Sequence, residues 1–267
     1  MISFPLLRTT IKSNLVIWLI FAAILAMYLS IILSMFDPGM RDSMDALVES
    51  LPPQLVEALN FKTADPSLLG FVAGYFYGFL ILLFPMIYSV IMADRMIARF
   101  VDSGSMAFLL STPNTRVKIA FTQAVFLIGS LVLLIAFVML IGIGVSFSLF
   151  PGELDVNRFI VLNIGAALLY FALGSIGFFA SCLFNESKYS LALGGGVPIA
   201  FLLVQMLSGV GEELSGLQNF SLLALFNPSE IVVGGSSVLP SLAALILIGL
   251  VLYSAGIIVF SKKDLPI

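Results

Sequence analysis

The sequence predicts an all-α polytopic membrane protein with six transmembrane helices. Three observations carry that reading. Hydrophobic residues make up 60% of the 267 residues and charged residues only 10%, with a mean hydropathy of +1.15. A soluble domain carries about 25% charged residues. Six apolar runs reach the length of about 20 residues that a helix needs to cross a hydrocarbon core about 30 Å thick. Basic residues gather in alternate connections between those runs, as positive-inside topology requires. No sizeable soluble domain fits, so residues 1–267 read as a single transmembrane domain.

Residues 1–14 place Phe4, Leu7 and Ile11 at helical spacing, with Arg8 and Lys12 on other faces. That pattern predicts a short helix lying in the membrane interface, the alternative being a frayed basic tail. Residues 15–36 form the first span, with Trp18 near its start at headgroup depth. The connection 37–66 is acidic. Met40, Met44, Leu47 and Leu51 recur at helical spacing there, which predicts amphipathic helices on the membrane surface. Residues 67–92 form the second span, which Pro85 is expected to kink. Gly70, Gly74 and Gly78 share one face of it. They mark either tight packing within the chain or a helix seam that slides.

The third apolar run, 117–150, is 34 residues long. That is roughly 50 Å of helix, so it tilts or projects beyond the core. The fourth and fifth spans, 159–184 and 189–208, are joined by the tight link Asn185 to Lys188. Gly194-Gly195-Gly196 before Pro198 predicts a weak point in the fifth. Residues 209–240 contain no lysine or arginine and are too apolar for a solvated loop, so partly re-entrant short helices are expected before the sixth span, 241–260.

The connection 94–116 differs from the rest of the chain. It is polar and basic, yet it holds Met96, Phe100, Met106, Phe108, Leu109 and Leu110. Gly104 permits a turn between two short helices, and Pro113 stops the second. Arg95 and Arg99 lie four apart and share a helical face. Apolar knobs on a basic loop suit the groove of a soluble partner better than free solvation.

Nine basic residues fall on the side of the termini and this loop, and Arg41, Lys62 and Arg158 on the other. Both termini and the loop are therefore expected in the cytosol. Eleven of the 15 acids fall outside, with Asp42, Asp45, Glu49, Glu212 and Glu213 forming an acidic outer surface. The chain has no histidine, which removes Ser-His nucleophiles, HExxH zinc sites and bis-histidine haem. No GK[ST] loop is present to cradle a nucleotide. No charged residue occupies the middle of a span, where ion-coupled carriers keep their relays. Gln123, Asn163 and Gln205 read as amides that bridge helices. Nothing points to nucleic acid. The picture is a membrane scaffold without an engine of its own.

The run Asp102-Ser103-Gly104-Ser105, then Met106 to Leu109, then Leu110-Ser111-Thr112-Pro113-Asn114-Thr115-Arg116 resembles the permeases of type-2 ABC exporters. Asn227-Pro228 before the last span and the closing Phe260-Ser261-Lys262-Lys263-Asp264-Leu265 agree with it. Aspartate and serine stand where glutamate and threonine are commoner in that family. The resemblance implies a chain that pairs with a second permease, a homodimer before a heterodimer, above two ATP-binding subunits that hold the ATP and magnesium. The loop after the second span would then be the coupling helix, with Arg95, Arg99, Phe100, Asp102, Gly104, Phe108, Leu109, Pro113 and Arg116 at the ATPase. It implies export across a bacterial plasma membrane, and no cofactor or catalytic site in this chain. Strongly apolar spans, aromatic patches at Tyr75-Phe76-Tyr77 and Phe178-Phe179, and acids outside favour a hydrophobic or amphipathic cargo. A peptide, as in phenol-soluble modulin exporters, comes before a drug. The competing classes are a membrane scaffold, immunity or sensor protein and a secondary carrier, since fold does not fix function.

Overall fold

Among the residues described by the computed structural model, 2–37, 67–208 and 221–265, all regular structure is helical. Six helices there are long and apolar enough to cross a membrane. The first span is α1, Phe4–Met35. The second combines α2, Leu68–Val72, a π-helical segment, Ala73–Leu80, and α3, Ile81–Met96. Two short helices follow, α4, Ala98–Asp102, and α5, Met106–Leu110. The third to fifth spans are α6, Arg116–Leu149, α7, Val156–Leu183, and α8, Ser187–Ser208. A 3₁₀ turn, Leu222–Leu225, and α9, Pro228–Val233, precede the last span, α10, Val238–Lys262.

The short interfacial helix expected over 1–14 is not a separate element. Pro5 sits in the first turn, where its missing N–H costs nothing, and no glycine or further proline interrupts the run to Met35. The polar residues at 10 and 14 do not break it either, because α6 lies alongside. Ser3 N–H donates to Thr122 Oγ1 at 3.0 Å, and Thr10 Oγ1 donates to Gln123 Oε1 at 3.4 Å. Trp18 Nε1 donates to the carbonyl of Ser130 at 3.0 Å, so its indole serves a helix pair. Further along, Phe36 meets Phe150 edge to face, 5.3 Å between centroids. Contact positions advance together along both helices, so α1 and α6 run parallel.

Pro85 has no N–H, which leaves the Ile81 carbonyl without its helical donor. The Tyr170 hydroxyl of α7 donates to that carbonyl and to Leu82 O at 2.8 Å. The π-helical turns just before it were not foreseen from the sequence. Gly70, Gly74 and Gly78 are all buried within the chain, as packing inside one subunit demands. The aromatic patches at 75–77 and 178–179 lie largely in the core, with Tyr75 and Phe179 half-buried. Phe76, Tyr77 and Phe178 are fully buried. Tyr77 packs on Phe159 and donates to Asn163 Oδ1 at 2.8 Å, and Phe178 packs on Tyr253. Asn163 and Gln123 do bridge helices as expected.

Helix α7 is apolar all round and lies at the centre, against α3, α6, α8, α9 and α10. The predicted weak point in the fifth span is absent, since α8 runs unbroken through Gly194 and Pro198. These glycines serve close approach instead. A Cβ on Gly194 would stand 3.0 Å from Gly177 Cα, and one on Gly195 3.0 Å from Val90. Before α10, the expected short helices form at the end of the bundle away from the termini. Asn227 caps α9 by accepting from Glu230 N–H at 3.3 Å, and Gly234 ends it with φ +81°. Leu223, Phe226, Ile231 and Val232 are buried, and the Arg158 guanidinium donates to Val232 O.

Candidate coupling surface

The second span ends at Met96 because Ile97 leaves the helical region, with φ −135° and ψ −56°. That break frees the amide of Ala98, which donates to Ser181 Oγ on α7 at 2.8 Å. Helix α4 is thereby tied to the central span. Gly104 turns the chain with φ +71°. Nothing lies within 4 Å of where its Cβ would stand, so the backbone alone requires glycine. Helix α5 ends at Leu110, Pro113 follows in the turn, and Thr115 caps α6 by accepting from Lys118 N–H at 3.2 Å.

A second tie runs to α8. Asp94 is 7% exposed, and both its carboxylate oxygens lie 2.7 Å from Ser187 Oγ, which donates to them. Asp102 Oδ2 accepts from Ser187 N–H at 3.4 Å. Both acids thus sit at the N-terminus of α8, where the helix dipole favours negative charge. The C-terminus joins the same end. Arg116 donates to Lys263 O, and Lys263 Nζ donates to Cys182 O at 3.2 Å. Burial pushes the Lys263 ammonium down to about 8, with Cys182 opposing the shift.

Phe108 is 79% exposed on α5 and stands clear of the bundle. Phe100, Leu109 and Leu110 are half-buried and pack on the core, so they brace α4 and α5 rather than project from them. Arg95, half-buried at the end of α3, and Arg99, exposed on α4, do not share one helical face, because the chain leaves the helical region between them at Ile97. They line a cleft of about 410 Å³ between this loop and the start of α1. The anchoring residues Asp94, Ser181 and Ser187 were missed from the sequence. Their signal was faint: an acid at the end of an apolar run, and a serine in the tight link after the fourth span. Asp42, Asp45, Glu49, Glu212 and Glu213 lie outside the described residues.

Six spans with a compact pair of short helices at the end that holds both termini define a multi-pass membrane protein. The sequence matches the family described as ABC-2 family transporter protein over residues 7–265, and the chain belongs to that family. It is therefore a permease subunit of an ABC transporter, a class whose members partner an ATP-binding subunit. A search of curated proteins returns no match.

Proposed function

We propose that this permease exports a hydrophobic or amphipathic cargo, a peptide before a drug, and that its ATP-binding subunit docks on α4 and α5. The observation that carries this docking handle is Phe108, an exposed ring on α5, which follows directly on α4, whose Ala98 amide donates to Ser181 of α7, while Asp94 at the end of α3 accepts from Ser187 of α8. A push on α5 passes through Ala98 and Ser181 to the fourth span, and through Asp94 and Ser187 to the fifth. The handle and both termini face the cytosol of a bacterial cell, supported by the nine basic residues at that end. Two permease copies with two ATP-binding subunits make the working unit, since six spans offer little wall for a peptide-sized path. The permease contributes no residues to ATP hydrolysis.

The test replaces Phe108 by Ala. A buried aromatic anchor is worth about 2 kcal/mol or more, roughly thirtyfold in affinity. The ATPase should co-purify poorly and ATP-driven transport should fail, while membrane insertion stays normal. Wild-type co-purification and transport would reject α5 as the handle. Cargo is tested by stimulation of ATP hydrolysis in the reconstituted complex. Amphipathic peptides should stimulate it, and a response to sugar polymers alone would overturn the cargo assignment.

A further inference from the structure

We propose that the seam between α1, α6 and the handle is a specific site for one anionic phospholipid of the phosphatidylglycerol type. The site borders the α4–α5 surface proposed for the ATPase and shares Arg99 with it, so its test uses the permease without an ATP-binding subunit. The head of the site is the cleft beside the handle, walled by Arg95, Arg99, Thr9, Ser13, Ser103 and Ser105. Among the described residues, neither guanidinium makes a hydrogen bond or ion pair, although Asp94 is near enough to Arg99 to interact electrostatically. Two guanidinium groups suit a phosphodiester, and Ser105, whose Oγ accepts from Ser103, keeps its own hydroxyl proton to donate beside them.

The tail of the site adjoins the head. A groove of about 370 Å³ runs between α1 and α6, lined by Leu7, Leu15, Trp18, Phe126, Gly129 and Leu133. Asn14 borders both the polar cleft and the apolar groove. It is 4% exposed, and its Nδ2 donates to Thr10 O at 2.8 Å and to Ser13 Oγ at 3.2 Å. Its Oδ1 is buried and accepts nothing. An orphan acceptor at the joint of a cationic head and an apolar tail calls for a ligand with a donor beside its phosphate. The glycerol hydroxyls of phosphatidylglycerol supply one, and its acyl chain matches the groove. Free phosphate would leave the groove empty, and phosphatidylcholine offers neither the donor nor the net charge.

Trp18 is the single tryptophan of the chain and lines the groove, so it reports occupancy directly. The full chain is placed in phosphatidylcholine vesicles, and dibrominated phosphatidylglycerol or dibrominated phosphatidylcholine is added in steps. Brominated phosphatidylglycerol should quench Trp18 at a much lower mole fraction. Arg95→Gln with Arg99→Gln should remove that preference, about thirtyfold for two basic contacts, and leave quenching by phosphatidylcholine unchanged. Gly129→Leu provides a second arm. A Cβ at 129 has nothing within 4 Å, so the new side chain fills the groove without straining α6. It should weaken quenching by the anionic lipid even where the arginine variant folds poorly. Equal quenching by both lipids in the wild type, or a preference that survives Gly129→Leu, would overturn the proposal. Displacement by inorganic phosphate at constant ionic strength would reduce the site to a simple anion pocket and overturn it as well.

Discussion

Replacing Tyr170 by Phe removes a single oxygen from the fully buried contact between the second and fourth spans. The Ile81 carbonyl has no helical donor, because Pro85 stands where that donor would be. Tyr170 supplies the missing proton and also lies 2.8 Å from Leu82 O. The variant therefore leaves one buried carbonyl unmet. An orphaned acceptor costs about 1–3 kcal/mol in soluble proteins, and interhelical bonds in membranes reach at most about 1.7 kcal/mol. A loss of about 1.5 kcal/mol is expected, measured by reversible unfolding in mixed detergent micelles. The control is Pro85→Ala, which returns an N–H to the helix. In that background the same tyrosine change should cost less than about 0.5 kcal/mol, a coupling that a double-mutant cycle resolves. Equal losses in both backgrounds would refute the idea that Tyr170 substitutes for the proline's missing donor.

Ser187→Ala strips the buried Asp94 carboxylate of one of its two hydroxyl partners and leaves Ser190, at a cost of about 1.5 kcal/mol. It should also lower transport per ATP hydrolysed, and unchanged coupling in a transport assay would remove this tie from the load path. Gly194→Leu forces a side chain into the 3.0 Å approach to Gly177 and should destabilise the chain by about 1–3 kcal/mol in the same unfolding assay. Gly196→Leu should be neutral by comparison, because nothing lies within 4 Å of a Cβ there. Lys263 releases its proton near pH 8 when folded, against 10.5 ordinarily, so between those values the unfolded chain binds more protons. Stability should therefore rise as pH climbs through that window, and Lys263→Met should flatten the rise in thermal melts at pH 7.5 and 9.5.

What the sequence determined by itself was the set of spans and the chemistry of the turns. Transfer of a helix from water to lipid sums over the residues of one continuous run, so the third span, read as 117–150, is observed as Arg116–Leu149. The two short helices around Gly104 were equally legible, because a positive φ and a proline stop act within a few residues. Gly194 to Pro198 misled for the complementary reason. Glycine weakens an isolated helix, but it also lets neighbours approach, and only the presence of Gly177 and Val90 decides which effect wins. The joint at residue 14 likewise looked like a helix boundary until α6 was seen to receive its polar face. Spans that are apolar all round carry no stripe to say which neighbour they meet. Tertiary structure alone therefore decided that α1 runs parallel to α6, that Tyr170 reaches the carbonyl freed by Pro85, and that Ser187 meets Asp94. It decided too that Phe108 stands in the open while Phe100 is half-buried, since exposure depends on what packs across the fold and not on the residues next in line.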